Sequence, residues 1–383
     1  MDAKVWPINY LTQIRFGFGA IAEVGAECAR LKIARPLLVT DRGVRAAGLV
    51  DRLLAQLPTG ERTPVYDGTP ANPTEAAVRD AAALYRERGC DGFVALGGGS
   101  PIDLAKAAAL MATHPGPLLT YAAIEGGMAR ITDAVAPLIA IPTTAGTGSE
   151  VGRGALIILD DRRKLGLLSP HLLPKAAICD PELTLGLPPV LTAATGMDAI
   201  AHCAETFMSA AFNPPADGIA LDGLERGWAY IERATAGPHD REARLNMMSA
   251  SMQGALAFQK GLGCVHSLSH ALGGLDPRLH HGTLNAILLP AVIEFNASDP
   301  GVQQRRSLER MAQAMGLASP ADVSHAIAET VYRLGLPSGL GAVGVTAEMF
   351  PAIITLALAD HCHQTNPRRA TSEDYAAILE ASM

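Results

Sequence analysis

Residues 92–101, GFVALGGGSP, decide the fold class of this chain. The run from Gly92 to Leu96 is short and uncharged, which is typical of a parallel strand buried on both faces. Three glycines follow, and residues 101–113 then have a helical pattern. Glycines let the backbone approach a ligand closely, and the unpaired N–H groups of a helix N-terminus attract an anion. The stretch predicts a strand, a phosphate-binding turn and a helix, with a plain tight turn as the alternative.

Similar strand and helix patterns occur on both sides of this stretch. Apolar runs at 36–40 and 137–141 resemble buried strands, and residues 44–56 and 74–89 have helical patterns. This alternation predicts a doubly wound, Rossmann-like α/β domain, although the G-x-G-x-x-G fingerprint is absent. Residues 142–150, PTTAGTGSE, follow the third run with small and hydroxyl side chains that suit a ribose or a phosphate. Because ligands bind at the carboxyl edge of such sheets, the two loops together favour a nucleotide site over polar turns.

The sequence pattern changes near residue 185. Residues 155–159 and the charged residues 160–163 after them predict a hairpin, and helical patterns dominate from about residue 190 onward. The predicted helices of this second half cover 192–208, 241–260, 264–273, 284–297 and 303–315. We therefore expect an α/β domain over residues 1–187 and an all-helical domain over residues 188–383.

Composition excludes several classes of protein. The chain has 383 residues, of which 49% are hydrophobic and 18% charged, enough for two folded domains. Its net charge is −7 and it has no basic run, which argues against a nucleic-acid surface. The apolar runs are shorter than the roughly 20 residues of a membrane span, and residues 1–7 lack the apolar region of a signal peptide. Six scattered cysteines without a CxxC pair are typical of reduced thiols. We expect a cytoplasmic protein that acts on small molecules.

Histidines and one aspartate recur at helical spacing in the second half. Asp198 and His202 are four residues apart on one predicted helix, as are His266 and His270 on another, and His281 follows in a predicted loop. A lone histidine is usually a packing or solvated residue, but the joint occurrence favours a metal site. One carboxylate with several imidazoles suits Fe²⁺ or Zn²⁺. We expect the other histidines to lie at the surface or in packing roles, namely 114, 171, 239, 325, 361 and 363.

These motifs together resemble those of the iron-containing alcohol dehydrogenase family. The resemblance is carried by residues 97–103, 142–150, 195–202, 263–270 and 281–286, and by the shorter matches 17–19 and 365–368. It spans nearly the whole chain with its motifs in the right order. It implies an architecture similar to that of dehydroquinate synthase, with a dinucleotide-binding domain followed by a helical metal-binding domain.

The resemblance also implies roles for individual residues. The implied metal ligands are Asp198, His202, His266 and His281, with His270 beside the metal as a relay for the substrate proton. The implied cofactor contacts are Asn72, Gly97, Gly98, Gly99, Ser100, Asp103, Thr143, Thr144, Thr147 and Lys164. Asp41 would accept hydrogen bonds from the adenosine ribose and repel a 2′-phosphate, which favours NAD over NADP. A simple turn residue at the end of a strand is the alternative for Asp41.

The implied activity is NAD-linked, metal-dependent interconversion of a small primary alcohol or hydroxy acid and its aldehyde, with Fe²⁺ expected and Zn²⁺ possible. The substrate would bind in a cleft between the two domains, and the chain would form a dimer or a larger homo-oligomer. Arg153 is a candidate to grip a substrate carboxylate such as that of 4-hydroxybutyrate, or else an exposed strand arginine. We prefer His281 to the adjacent His280 as the ligand because Gly282 follows it, as in the family motif.

Other functions are compatible with parts of the pattern. A hydroxyacid–oxoacid transhydrogenase would recycle its nicotinamide without releasing it, and a lyase like dehydroquinate synthase would use NAD transiently. The motifs at 143–150 and 366–368 favour the dehydrogenase. The complete set of one aspartate and three histidines disfavours a metal-free maleylacetate reductase, and a binding module without catalysis would leave that set without a purpose.

Overall fold

The computed structural model describes Tyr10 and residues 12–383 of the chain. It divides into two compact units, of which the first ends at Leu187 and the second begins at Pro188. Tyr10 groups with the second unit, whereas the predicted first domain included it. Residues 1–9, to which the signal-peptide prediction refers, and Leu11 lie outside the described residues.

A parallel sheet of six strands forms the centre of the first unit. The strands among residues 12–187 are Ile14–Phe16 (β1), Pro36–Val39 (β2), Val65–Tyr66 (β3), Gly92–Gly97 (β4), Leu138–Pro142 (β5), Gly154–Ile158 (β6), Lys164–Leu168 (β7) and Ala176–Cys179 (β8). The sheet has the order β1-β8-β5-β4-β2-β3 with every pairing parallel, while β6 and β7 form the predicted hairpin. Strands β2, β4, β5 and β8 are buried along their whole length, as uncharged strands covered on both faces should be.

Helices cover both faces of this sheet. Those of the first unit are Val24–Leu31 (α1), Arg42–Ala46 (α2), Leu49–Leu54 (α3), Glu75–Glu87 (α4) and Gly99–Thr113 (α5). Alternate strand residues point into two separate cores, Phe93 and Ala95 into one and Val94 and Leu96 into the other. The predicted doubly wound fold is confirmed. The predicted helix over 44–56 is wrong in one respect, because Gly48 with φ +75° separates α2 from α3.

The second unit is helical, as the sequence predicts. Its helices are Pro189–Met208 (α6), Pro214–Ala236 (α7), Arg241–Ala257 (α8), Cys264–Leu275 (α9), His281–Ala297 (α10), Pro300–Gln304 (α11), Ser307–Ala314 (α12), Val323–Arg333 (α13), Phe350–Ala359 (α14) and Ser372–Ala381 (α15). Helices α7, α13, α14 and α15 were not predicted from the sequence, and the predicted helix over 303–315 is interrupted at Arg306, with φ +53°, between α11 and α12. Helix α6 begins at Pro189, three residues before the predicted start at residue 192, and His281 opens α10 instead of lying in a loop.

Helix α6 lies at the centre of this unit. It packs against α7, α8 and α10, and 16 of its 20 residues are buried. Asp198, His202 and Glu205 are among the buried residues. Burying such polar groups costs free energy unless each finds a partner, so their surroundings identify the site. No helix of residues 12–383 is both long and apolar enough to cross a membrane.

Candidate metal and nucleotide sites

Three of the predicted ligands, all histidines, approach one carboxylate oxygen of the fourth, Asp198. Oδ1 of Asp198 lies 3.6 Å from Nε2 of His266, 3.7 Å from Nε2 of His281 and 4.0 Å from Nδ1 of His202. In a tetrahedral site with bonds of about 2.1 Å, neighbouring ligand atoms are about 3.4 Å apart. Ligand atoms of Asp198, His202 and His266 also lie within 4.8 Å of one another. These three side chains therefore fit a shared cation, and His281, which is outside that group, approaches it through its 3.7 Å distance to Asp198.

A close helix contact brings His281 to this point. His281 is the first residue of α10, and Gly282 follows it against α6. A Cβ atom on Gly282 would collide with the carbonyl oxygen of Ala194 and lie 3.4 Å from the Cβ atom of Asp198. Only glycine lets the two helices approach this closely, so the His-Gly pair of the sequence has a physical reason.

Hydrogen bonds select which nitrogen of two imidazoles faces Asp198. Nδ1 of His266 donates to Oε2 of Glu205 at 2.5 Å. The hydroxyl of Ser269 donates its single hydrogen to the carbonyl of His266. Its contact of 3.3 Å with Nδ1 of His281 is therefore one in which the imidazole nitrogen donates and the hydroxyl accepts. A bond to one ring nitrogen leaves the other as the ligand atom. In both rings Nε2 is thus the atom directed at Asp198.

The charges at the site act on each other. Burial lowers the pKa of His266, but the carboxylates of Glu205 and Asp198 outweigh it and raise the pKa to about 9. Burial raises the pKa of Asp198, yet the neighbouring His202 and His281 hold that pKa well below its usual range. Asp198 is therefore a carboxylate, the form in which it can bind a cation.

The amide of Asn285 reports the same convergence. Its Nδ2 atom lies 2.7 Å from Oδ1 of Asp198 and 3.2 and 3.1 Å from Nε2 of His266 and His281. An amide nitrogen carries two hydrogens and serves at most two of these three acceptors. When both Nε2 atoms are deprotonated, as metal ligands must be, more lone pairs meet here than one donor can satisfy, and such an arrangement suits a divalent cation. The residues present fit the metal that the motifs imply.

Two further histidines flank the ligands. His270 stacks on His281 with ring centroids 5.4 Å apart, and its Nδ1 lies 3.1 Å from Oδ2 of Asp360. His280 is exposed, and its Nδ1 accepts a hydrogen bond from the backbone of Thr283. His280 therefore caps α10 while the next residue turns toward Asp198.

The sequence analysis missed several residues of this site. Glu205 follows Asp198 at i+7 on α6, and a carboxylate in so apolar a helix was a signal that could have found it. Asp360 is 90 positions from its partner and gave no local signal. Asp360, His361 and Cys362 cluster with His270, so His361 lies closer to the site than the expected surface role implies.

The nucleotide loops meet at one edge of the sheet in the first unit. Gly97 pairs with Pro142 in the register of β4 and β5, and the backbone N–H of Thr143 donates to the carbonyl of Gly97 at 3.0 Å. Asp41 lies two residues after the neighbouring strand β2, where its Oδ1 accepts from the N–H of Val44 and caps α2. The predicted residues thus share the carboxyl edge where ligands of such sheets bind.

Small residues keep the two loops in contact. A Cβ atom on Gly98 would lie 3.1 Å from Oγ1 of Thr144, and one on Gly99 would lie 2.7 Å from Cγ2 of Thr147. A side chain at Gly99 would therefore displace the second loop. Gly99 is also the first residue of α5, so N–H groups at this helix start are available to an anion.

Other predicted cofactor residues border these loops. Nζ of Lys164 donates to Oδ1 of Asn72 at 2.9 Å, and the hydroxyl of Ser100 donates to the carbonyl of Ala71 at 2.5 Å. These contacts bring the segment before α4 beside the glycine turn. The four residues thus form one group with the first loop.

Asp103, for which the resemblance implies a cofactor contact, is hydrogen-bonded within the first unit. Its carboxylate accepts hydrogen bonds from Oγ of Ser149 at 2.5 Å and from the N–H of Leu156 at 3.0 Å. The buried Lys106 donates to the same Ser149 hydroxyl and to the carbonyl of Gly154. Both charged side chains therefore hold the second loop and β6 from inside the protein.

Comparisons with known proteins agree with this geometry. The sequence profile of the family "Iron-containing alcohol dehydrogenase" matches residues 12–181, and that of "Fe-containing alcohol dehydrogenase family, C-terminal" matches residues 192–383. The chain belongs to the iron-containing alcohol dehydrogenase family. The predicted family, fold class and enzyme class are confirmed: this alcohol dehydrogenase acts on CH–OH groups with NAD and a metal.

Relatives and solved structures cover the alcohol dehydrogenase from end to end. It is 64% identical over 380 residues to the 4-hydroxybutyrate dehydrogenase of Cupriavidus necator, covering 98% of this chain and 99% of that protein. It is 38% identical to the 1,3-propanediol dehydrogenase of Citrobacter freundii over 95% of both chains. A crystal structure of a 1,3-propanediol oxidoreductase has a TM-score of 0.92 at 35% identity, covering 99% of this chain and 100% of that one. The sulfoacetaldehyde reductase of Bifidobacterium kashiwanohense, solved with NAD⁺, has a TM-score of 0.88 at 27% identity, with 99% and 98% covered.

Proposed function

We propose that this alcohol dehydrogenase interconverts 4-hydroxybutyrate, or a hydroxy acid of similar length, and the corresponding aldehyde. The proposal rests on the difference in sequence identity between this chain and relatives that act on different substrates. Identity is 64% to a 4-hydroxybutyrate dehydrogenase and 38% and 37% to two 1,3-propanediol dehydrogenases, each over at least 95% of the chain. The substrate is accordingly a hydroxy acid and not a diol.

The metal site proposed for this reaction has four protein ligands, Asp198, His202, His266 and His281. Their separations of 3.6 to 4.0 Å from Oδ1 of Asp198 support a single divalent cation, for which we propose Fe²⁺ before Zn²⁺. When bound, such a cation supplies Lewis-acid chemistry that favours loss of the proton from the substrate hydroxyl.

His270 is our candidate for the residue that takes up this proton. Alcohol oxidation transfers a hydride from carbon to NAD⁺ and releases one proton from the hydroxyl. Because Nδ1 of His270 is held by Asp360, Nε2 is the atom available for the proton. The carboxylate of Asp360 would then stabilise the imidazolium that forms.

The dinucleotide would bind at the carboxyl edge of the sheet. We propose that the glycine turn and the start of α5 bind the pyrophosphate and that Asp41 binds the adenosine ribose, which favours NAD over NADP. The proposed lining residues are Asn72, Gly97, Gly98, Gly99, Ser100, Thr143, Thr144, Thr147 and Lys164. Asp103 would act through the second loop, since its oxygens bind Ser149 and Leu156.

Substrate identity is tested by comparing kcat/KM for 4-hydroxybutyrate, butanol and 1,3-propanediol with NAD⁺. We expect 4-hydroxybutyrate to be preferred, and equal values for the three would contradict the proposal. Turnover that requires an added oxoacid and releases no NADH would identify a transhydrogenase instead. Arg153 is exposed. If it binds the substrate carboxylate, Arg153→Ala lowers kcat/KM for 4-hydroxybutyrate alone. The control Arg163→Ala, in the β6–β7 hairpin, leaves kcat/KM for all three substrates unchanged.

We also propose that the enzyme works in the cytoplasm as a homo-oligomer, with a dimer as the smallest form. All six cysteines lie within the described residues, and each is buried and free of a disulfide, which supports a reducing compartment. Light scattering at micromolar concentration would test assembly, and a monomer mass near 39.9 kDa would contradict it.

A further inference from the structure

We infer that Glu205 is a positioning residue for the metal ligand His266 and that, with Asn366, it anchors the helix that carries this ligand. The inference rests on the metal site proposed above. It assigns a role to a buried carboxylate that belongs to none of the predicted ligands, and to the Asn366-Pro367-Arg368 motif of the C-terminal region.

Helix α9 begins without a cap of its own. The first N–H groups of a helix need acceptors from elsewhere, and the residue before α9 is Gly263, which has no side chain. Instead, Oδ1 of Asn366 accepts from the N–H of Cys264 at 3.1 Å, and Oε1 of Glu205 accepts from the N–H of Val265 at 2.7 Å. Both acceptors are remote in sequence, 102 and 60 positions away.

The second oxygen of Glu205 binds the ligand itself. Oε2 lies 2.5 Å from Nδ1 of His266, and each of these two side chains is 1% exposed. The carboxylate thus accepts from the backbone and from the imidazole at once. A glutamine offers a single acceptor oxygen and could serve only one of them. Both oxygens and the charge of Glu205 are therefore used.

Gly263 leaves room for these two remote acceptors. A Cβ atom there would lie 2.8 Å from Oε1 of Glu205 and would collide with the amide oxygen of Asn366. Asn366 is itself held, because its Nδ2 donates to the carbonyl of Arg368 and to Oδ1 of Asn296 at 2.7 Å each. The C-terminal motif thus fixes an acceptor at the start of the metal helix.

The consequence for metal binding follows from the tautomer. With a proton on Nδ1 fixed by Glu205, Nε2 of His266 is free to bind a cation, and it faces Oδ1 of Asp198 at 3.6 Å. The carboxylate of Asp198 is itself buried, and a bound cation would balance its charge. Without the second carboxylate, His266 can place its proton on Nε2 and lose the ligand atom.

The test uses Glu205→Gln, Asn366→Ala and the matched control Glu75→Gln. Glu75 is also a buried carboxylate whose two oxygens accept from backbone N–H groups, those of Leu118 and Asp160, and it has no histidine partner. Full-length metal-free proteins would be titrated with Co²⁺, with the visible d–d absorption giving Kd and coordination. Thermal melting of the metal-free forms gives a separate measure of structural damage.

We expect wild type to bind one Co²⁺ and Glu205→Gln to raise Kd by about 10- to 100-fold with an altered spectrum. Glu75→Gln should melt lower yet keep the wild-type Kd and spectrum. Asn366→Ala should also melt lower but raise Kd by much less, because the contact to Nδ1 of His266 remains.

Two outcomes would overturn the inference. One is a wild-type Kd and spectrum in Glu205→Gln, and the other is an equal rise of Kd in Asn366→Ala, which would assign the effect to helix capping alone. If Glu205→Gln does not fold, Glu205→Asp replaces it in the test. The shorter aspartate side chain cannot reach both the N–H of Val265 and Nδ1 of His266. An unchanged Kd for Co²⁺ in Glu205→Asp would also overturn the inference. Absence of Co²⁺ binding by wild type would refute the metal site, and a bound ion unaffected by Glu205 would refute only the inference.

Discussion

Replacing Gly282 by alanine tests whether the approach of α10 to α6 builds the metal site. The added Cβ atom would collide with the carbonyl oxygen of Ala194 and lie 3.4 Å from the Cβ atom of Asp198. An ordinary contact between carbon and oxygen is about 3.3 Å or more, so the helices must separate by roughly 1 Å. Metal sites tolerate about 0.2 Å in their bond lengths, and a 1 Å shift of His281 exceeds this.

Stability should fall together with metal binding. Overpacking costs about 1–3 kcal/mol, of which alanine returns up to about 1 kcal/mol through helix propensity. For a unit of this size, a net loss of about 1–2 kcal/mol lowers Tm by roughly 2–8 °C. We expect purified Gly282→Ala to contain well under one metal ion per chain, as measured by elemental analysis, with turnover reduced in proportion.

The control for this variant is Gly218→Ala. Gly218 is exposed on α7 with nothing within 4 Å of the Cβ position, so alanine should stabilise the helix by up to about 1 kcal/mol. Its metal content should equal that of wild type. If Gly282→Ala behaved like this control, with a full metal complement and an unchanged or higher Tm, the argument from helix approach would be wrong.

Three further predictions follow from the two sites. His266→Ala should abolish bound metal and turnover while NAD binding persists in a fluorescence titration. The side chain of His325 is 77% exposed, so the control His325→Ala should keep bound metal, turnover and NAD binding. Gly99→Val should weaken NAD binding by about 10- to 100-fold without changing metal content, because its side chain would meet Thr147 at 2.7 Å or less; equal affinity would refute the loop contact. Burial raises the pKa of Glu150 from 4.5 to about 7. Between pH 4.5 and 7 the folded chain therefore keeps a proton on Glu150 that the unfolded chain releases. The contribution of Glu150 to the free energy of unfolding falls as pH rises through this range. Glu150→Gln should therefore gain in Tm over wild type from pH 4.5 to 7 and level off above; a difference that is constant with pH would contradict this.

Local sequence predicted the central strands because burial on both faces leaves a clear pattern. β2, β4 and β5 are uncharged runs followed by turn residues, and each was predicted within one residue of its observed start. The outer strands β1 and β3 and the inner strand β8 have three, two and four residues. Strands as short as β1 and β3 carry no detectable period and form through their parallel neighbours, which only the folded chain supplies. Strand β8 is as long as β2, but it begins with two alanines, which are depleted in strands.

Helix α7 shows tertiary contacts overriding local preference. It contains Gly218, Gly223 and Gly227, which lower helix propensity and hid it from sequence analysis. In the structure a Cβ atom on Gly223 would lie 2.8 Å from Sγ of Cys203, and one on Gly227 would lie 3.0 Å from Ile200. Gly223 and Gly227 therefore let α7 pack closely on α6, and the packing offsets their cost in helix propensity.

The choice between His280 and His281 shows where motif and physics meet. The motif favoured His281 because a glycine follows it, without giving a reason. The structure supplies one: Gly282 touches Ala194 of α6, so the residue before it must face Asp198, four residues further along that helix. His280 then occupies the capping position and accepts from Thr283. A carboxylate in an apolar helix marked Glu205 as unusual but did not indicate its role, because that role is to set the tautomer of one imidazole, and residue spacing does not encode where a proton lies.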